Sequence, residues 1–201
     1  MELRLGFLVS GKGSNFESIL DSIDSGELKA SPRVLVSSQP KAKALEIARD
    51  RNLPSCCLNS ENTKDLDEAI IETLHEYDVN LVVLAGYLKK IGDNVLNKYP
   101  NRILNVHPAL LPKYGGKDMY GMKVHEAVIA SDDRESGATV HLVTSDYDAG
   151  KILAQYKVPR YPRDTARTLS ERVLRIEHVC YVQTLKAIQE DIIDLDSETI
   201  F

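Results

Sequence analysis

Short apolar, β-branched runs alternate with helix-patterned segments along nearly the whole chain, and that alternation restricts the fold more than any other feature. Strands are expected at 3–9, 33–37, 55–58, 81–85, 103–107, 138–143 and 152–158. Helices are expected between them at 15–25, 41–51, 64–77, 92–98, 122–130 and about 165–189. A helix between two strands returns the chain for parallel pairing, and parallel sheets need cover on both faces. The expected class is therefore α/β, a doubly wound, mostly parallel seven-stranded sheet with helices on both faces.

The helical segments carry the spacing such cover requires. Ala69, Ile70 and Leu74 follow Asp65 at the steps of a helix lying on a sheet. Leu169, Val173, Ile176, Val179 and Cys180 repeat at three- and four-residue steps, and Asp164 or Thr165 is placed to cap that last helix. The tail from Asp191 to Phe201 mixes acids with isoleucines and reads as a last short strand or a fraying end. No repeat or linker divides the 201 residues, so a single domain over 1–201 is expected.

Composition narrows the function classes. The 25 Lys and Arg against 30 Asp and Glu leave a net charge of −5, with no gathered basic face for nucleic acid. The longest purely apolar run, Leu81 to Ala85, is far below the roughly 18 residues of a membrane span. Cys56, Cys57 and Cys180 are odd in number and lack CxxC spacing, which argues for reduced thiols rather than a disulfide framework or a zinc site. The first residues lack the pattern of a secretory signal, so a cytoplasmic location is expected. No HExxH, HxxEH or GxSxG arrangement occurs, and no metal is expected.

Two stretches carry the chemistry. The first is Ser10-Gly11-Lys12-Gly13-Ser14-Asn15-Phe16, where the first strand gives way to the first helix. Free N–H groups at a helix start attract anions, and glycine lets a phosphate approach the backbone. The stretch fits neither the dinucleotide fingerprint, since Phe16 replaces the third glycine, nor the P-loop, so a single phosphate suits it better. A tight turn with Ser14 or Asn15 as helix cap is the alternative.

The second is Asn105-Val106-His107-Pro108-Ala109-Leu110-Leu111-Pro112. Residues two apart on a strand share a face, so Asn105 and His107 converge, and the prolines end the strand. At the carboxyl end of a strand in such a sheet the pair is placed to donate hydrogen bonds to a developing oxyanion. An anionic partner would favour a charged imidazole. Asp146 and Asp148, in Asp146-Tyr147-Asp148-Ala149-Gly150, both qualify by spacing, and the same residues also suit a plain turn. His141 alternates with valines on a strand, His178 lies on the long helix, and His75 and His125 read as helix-surface residues. The irregular segment 108–120 has the length of a binding loop.

From SGKGSNF through LAGYLKKI, LNVHPALLPKYGG and GATVHLVTSDYDAGKI to RIEHVCY, the chain resembles the phosphoribosylglycinamide formyltransferases of purine synthesis. Methionyl-tRNA formyltransferases and formyltetrahydrofolate deformylases share part of this pattern but carry further domains. The resemblance implies a formyltransferase fold with ribonucleotide-phosphate binding in the N-terminal half and folate and catalytic elements from about 84 to 150. It implies transfer of the formyl group of 10-formyltetrahydrofolate, a co-substrate, to the amine of glycinamide ribonucleotide. Small molecules are thus the expected partners, with no nucleic acid or membrane, and the protein is expected to be a monomer or homodimer.

By the same resemblance Asn105, His107 and Asp148 form the catalytic trio, with His107 as imidazolium. Gly13, Ser14 and Asn15 hold the ribonucleotide phosphate and Glu177 holds the glycinamide end; Lys64, in Asn62-Thr63-Lys64-Asp65, is a candidate second positive charge for that phosphate, with plain surface exposure as the alternative. Leu88, Lys89, Ile91, Val143 and Asp146 belong to the folate pocket. Ala109 stands where serine is common and Lys89 where arginine is frequent, which removes a planar two-pronged contact. The Leu111–Pro112 bond is expected cis. Three competing readings are a hydrolase on this scaffold that releases formate, a dinucleotide-binding oxidoreductase, and a noncatalytic binding module. The oxidoreductase lacks both its third glycine and an acid at Ser37-Ser38-Gln39-Pro40.

Overall fold

The computed structural model of the chain describes residues 2–197. Seven strands, β1 (Leu3–Val9), β2 (Ala30–Ser37), β3 (Ser55–Cys57), β4 (Leu81–Leu84), β5 (Ile103–His107), β6 (Glu135–Leu142) and β7 (Ile152–Pro159), form one sheet. The helices are α1 (Ser14–Asp24), α2 (Lys43–Asp50), α3 (Leu66–Glu76), α4 (Asp93–Lys98), α5 (Met122–Ala130) and α6 (Ala166–Gln189). Strand order is β3-β2-β1-β4-β5-β6-β7. The first five strands pair in parallel, while β6 runs antiparallel to β5 and β7 antiparallel to β6.

Side-chain parity divides the core into two layers. Leu3, Leu5, Phe7 and Val9 of β1 and Leu104 and Val106 of β5 point to the layer of α1, α2 and α6. Leu8, Val82, Leu84 and Ile103 point to the layer of α3 and α4. The central strands are buried on both sides, which is why their sequences run apolar without a clean alternation. Their order reverses between β1 and β4, so the segments after these two strands open a crevice at their carboxyl ends.

The differences from the expected elements have local causes. β2 begins at Ala30 although Pro32 lacks a donor. Its outer side is unpaired until Leu35 meets β3, and the pairing with β1 slips between Leu5 and Gly6, beside that proline. β6 begins at Glu135 because β7 pairs with it as far as Pro159. α3 starts at Leu66, where the Asp65 carboxylate accepts from the Glu68 N–H, leaving Lys64 outside the helix.

α6 is capped by Thr165 in a reciprocal box with Thr168. Its buried stripe continues through Tyr181, Thr184, Leu185 and Ile188, while Val179 stands 45% exposed, off the expected apolar face. In the tail, residues 191–197 form turns that bury Leu195 rather than a strand, and 198–201 lie outside the described residues.

Candidate functional site

β5 and β6 place the central group by their pairing. Asn105 lies opposite His141 and His107 opposite Thr139, so all four share the sheet face toward the crevice. Asp148 reaches them from the connection after β6, where it holds a left-handed φ of 54°. Its Oδ2 lies 3.4 Å from His107 Nδ1, and its Oδ1 lies 3.5 Å from His141 Nε2. Asp146 stays exposed two residues earlier, so only Asp148 of the two carboxylates meets the imidazole.

His141 enters this group as well. Its Nδ1–H donates to the Leu142 carbonyl at 2.8 Å, which leaves Nε2 to accept the Asn105 Nδ2–H at 3.2 Å. That contact aims one amide hydrogen of Asn105 and leaves the other for a ligand. The register of β5 against β6 was the missing signal, because one strand alone does not say which residue lies opposite Asn105.

The segment 108–121 is irregular, and its first half is pinned to the sheet. Thr139 Oγ1 accepts the Leu111 N–H at 3.1 Å and donates to the Ala109 carbonyl at 2.6 Å, and Gln155 Nε2 donates to the Leu111 carbonyl at 2.7 Å. The Leu111–Pro112 bond is cis, as expected. The Gly116 N–H donates to Asp148 Oδ2 at 2.9 Å, and His107 Nε2–H donates to the Tyr114 carbonyl at 2.7 Å. Sequence reasoning passed over Thr139, Tyr114, Gly116 and Gln155, which act through the main chain or from a neighbouring strand.

These contacts revise the charge expected at His107. The ring is only 4% exposed, and burial lowers its pKa by more than Asp148 and the Tyr114 carbonyl raise it, with His141 lowering it further. At neutral pH the ring therefore rests neutral, with its proton on Nε2 toward the nearer acceptor. Nδ1 then faces Asp148, ready to take a proton if negative charge develops nearby. Burial acts to raise the Asp148 pKa, yet the neighbouring His141 and His107 rings and the Gly116 N–H together hold it below the ordinary aspartate value.

The first glycine segment caps α1 by backbone alone. Gly13, not Ser14 or Asn15, is the N-cap, with φ 72° and no side-chain cap. A side chain there would meet Ala44, since an added Cβ would lie 2.6 Å from the Ala44 Cβ. The N–H groups of the first turn are therefore left for an anion. Asn15 is nine-tenths buried, and its Nδ2 donates to Glu177 Oε2 of α6 at 3.0 Å, while its Oδ1 has no partner among the described residues. Burial pushes the Glu177 carboxyl up to about 7 against the pull of the Asn15 hydrogen bond.

Other expected residues divide between two places. Ile91 and Val143 pack on the α3–α4 layer of the core, whereas Leu88 is 67% exposed and Lys89 is exposed on the segment after β4. Lys90 Nζ lies 6.0 Å from the centre of the Tyr147 ring, so the segments 86–91 and 143–148 stand side by side. Lys64 is exposed in the turns before α3 and makes no hydrogen bond or ion pair among the described residues.

His125 departs from the expected surface position. It is 5% exposed, on the α5 face shared with Val124 and Val128, its Nδ1 has no partner among the described residues, and burial with the nearby His107 lowers its pKa to about 4. His75 is exposed as expected, and His178 lines the groove between α1 and α6. Among the described residues no cluster of three or more His, Cys, Asp or Glu side chains is arranged to hold a metal ion.

The formyl transferase family model matches residues 3–185. The chain is 36% identical over 91% of its length to the phosphoribosylglycinamide formyltransferase of Bacillus subtilis, covering 93% of that protein. It is 42% identical over 94% of its length to the chloroplastic phosphoribosylglycinamide formyltransferase of Vigna unguiculata, of which it covers 61%. The chain thus spans less than two thirds of the plant relatives it matches. The crystal structure of glycinamide ribonucleotide transformylase 1 from Symbiobacterium toebii superposes with a TM-score of 0.87 at 33% identity, covering 94% of this chain and 89% of that one.

Proposed function

This chain belongs to the formyl transferase family, on its phosphoribosylglycinamide formyltransferase branch, and we propose that it moves the formyl group of 10-formyltetrahydrofolate to the amine of glycinamide ribonucleotide, a step of purine synthesis. The observation that carries this reading is that Asp148 meets His107 at the carboxyl end of β5, with Asn105 on the same sheet face two residues earlier, next to the segment that follows β4. One side of that crevice offers uncapped N–H groups for the ribonucleotide phosphate. The other offers Ile91 and Val143 as an apolar floor for folate, with Leu88, Lys89 and Asp146 at its rim.

The chemistry follows from these groups. The neutral amine attacks the formyl carbon, a C–N bond forms, and the carbonyl electrons move onto oxygen. The Asn105 amide hydrogen not held by His141 and the His107 Nε2–H donate to that oxyanion, which is a stronger acceptor than the Tyr114 carbonyl. As negative charge develops, the proton lost by the attacking amine passes by way of Asp148 to His107 Nδ1, so the ring holds positive charge beside the oxyanion until collapse returns that proton. Collapse breaks the bond from the formyl carbon to the folate nitrogen, which leaves with the proton lost by the attacking amine. Glu177, oriented by Asn15, holds the glycinamide end.

The partners in this reading are two small molecules, and the protein acts in the cytoplasm as a monomer or homodimer. No helix among the described residues is long and apolar enough to cross a membrane. The test mixes purified protein with 10-formyltetrahydrofolate in the presence and absence of glycinamide ribonucleotide and follows folate absorbance. Tetrahydrofolate formed only with the ribonucleotide supports the transferase. Equal formation without it establishes the hydrolase instead, and no product in either mixture refutes both.

A further inference from the structure

Two serines outside the residues assigned so far join the proposed ribonucleotide and folate segments. Ser10 lies between the end of β1 and the glycine segment. Its N–H donates to the Gly86 carbonyl at 3.0 Å, and its Oγ accepts the Leu88 N–H at 2.9 Å. The same Oγ lies 2.6 Å from Ser38 Oγ, just past β2. Ser38 is 1% exposed, and its own N–H donates to the Val9 carbonyl at 2.9 Å, so its hydroxyl is fixed from the sheet. At the end of the second strand, where a dinucleotide-binding sheet would present an acid, this chain turns a hydroxyl toward Ser10.

The arrangement ties three strand ends to one side chain. Gly86 leaves β4 with a left-handed φ of 76°, and Leu88 beyond it turns its side chain to solvent, so packing of that side chain does not locate the segment. Tyr87 and Ile91 anchor the segment in the core, and the Ser10 hydroxyl holds the Leu88 N–H between them. An anion held by the first N–H groups of α1 would order the chain from Ser10 onward, and Ser10 is joined to this segment by two hydrogen bonds, from its N–H to the Gly86 carbonyl and from the Leu88 N–H to its hydroxyl.

We propose that Ser10 is a positioning residue that couples the two substrate segments, so that filling the glycine segment tightens folate binding at 86–91. This rests on the functional reading above. By linkage the effect is reciprocal, and a single neutral hydrogen bond supplies a factor of roughly 2 to 10 in affinity. The Ser10→Ala variant removes the side-chain part of the link and leaves the bond from its N–H to the Gly86 carbonyl, and Ser10→Thr keeps the hydroxyl.

The experiment measures the Kd of 5,8-dideazafolate, which carries no formyl group to transfer, by calorimetry with and without glycinamide ribonucleotide. In the native protein the ribonucleotide should lower that Kd by roughly 2- to 10-fold. Ser10→Ala should move the ratio toward unity and Ser10→Thr should restore it. If Ser10→Ala does not fold, Ser38→Ala, which frees the Ser10 hydroxyl from its anchor, should reduce the ratio in the same direction. A serine with only a structural role would change the unfolding temperature and leave the ratio intact. A native protein without coupling, or a Ser10→Ala protein that keeps the native ratio, overturns the proposal. A native protein that binds neither ligand overturns the functional reading beneath it.

Discussion

Acid should weaken this fold through His125 by an amount the structure fixes. The buried ring has a pKa of about 4 against 6.5 for an ordinary histidine. Between those values the unfolded chain binds the proton and the folded chain does not, so stability is full above about pH 6.5 and falls as pH drops toward 4. At pH 5 the loss from this one ring is about 2 kcal/mol, and it approaches about 3 kcal/mol at pH 4. Glu177 slopes the opposite way in the same window. Its carboxyl is pushed up to about 7, so its penalty is absent below about 4.5 and grows as pH rises toward 7. The informative quantity is therefore the difference between native protein and His125→Gln, which keeps a polar side chain that does not titrate. Urea unfolding at pH 7 and pH 5 should show the variant losing about 2 kcal/mol less than the native protein over that interval. Parallel losses would refute the burial argument, because a ring that protonates as easily folded as unfolded contributes no slope.

Three further outcomes bear on the site. Asn105→Ala and His107→Ala should each lower kcat by at least about 10²–10³ in the formyl-transfer assay while the proteins remain folded by circular dichroism. Gly13→Ala forces a left-handed conformation and a side chain against Ala44, so thermal unfolding should register a loss of about 1–3 kcal/mol, with a raised KM for the ribonucleotide. Glu177 loses its proton near pH 7, so the KM for the ribonucleotide should fall as pH rises through that value. Glu177→Gln should flatten that dependence, and a persisting inflection would assign it to another group.

The elements were legible because their signals are local. The apolar runs of β1, β4 and β5 and the spacing of α3 and α6 need no partner to be read. Boundaries failed where pairing overrode propensity, as at Pro32, whose missing donor faces no neighbour. The inward turn of His125 was not legible, because Val124 and Val128 mark the buried face while a histidine beside them reads as polar surface. Asn105 and His107 were legible as a pair because a strand repeats every two residues.

The sequence by itself determined the sheet, its crossover helices, the glycine segment between β1 and α1 and the residue types suited to an oxyanion. Those follow from periodicity, glycine geometry and proline placement, which act over a few residues. Only the tertiary structure decided that Asp148 rather than Asp146 meets His107, that His141 aims Asn105, and that Ser10 and Ser38 tie the strand ends together. It also set the charge of His107, because the surrounding chain excludes water from the ring and makes the cation costly despite the carboxylate beside it. Contacts and desolvation of this kind join residues tens of positions apart, and no local pattern in the chain encodes their distances.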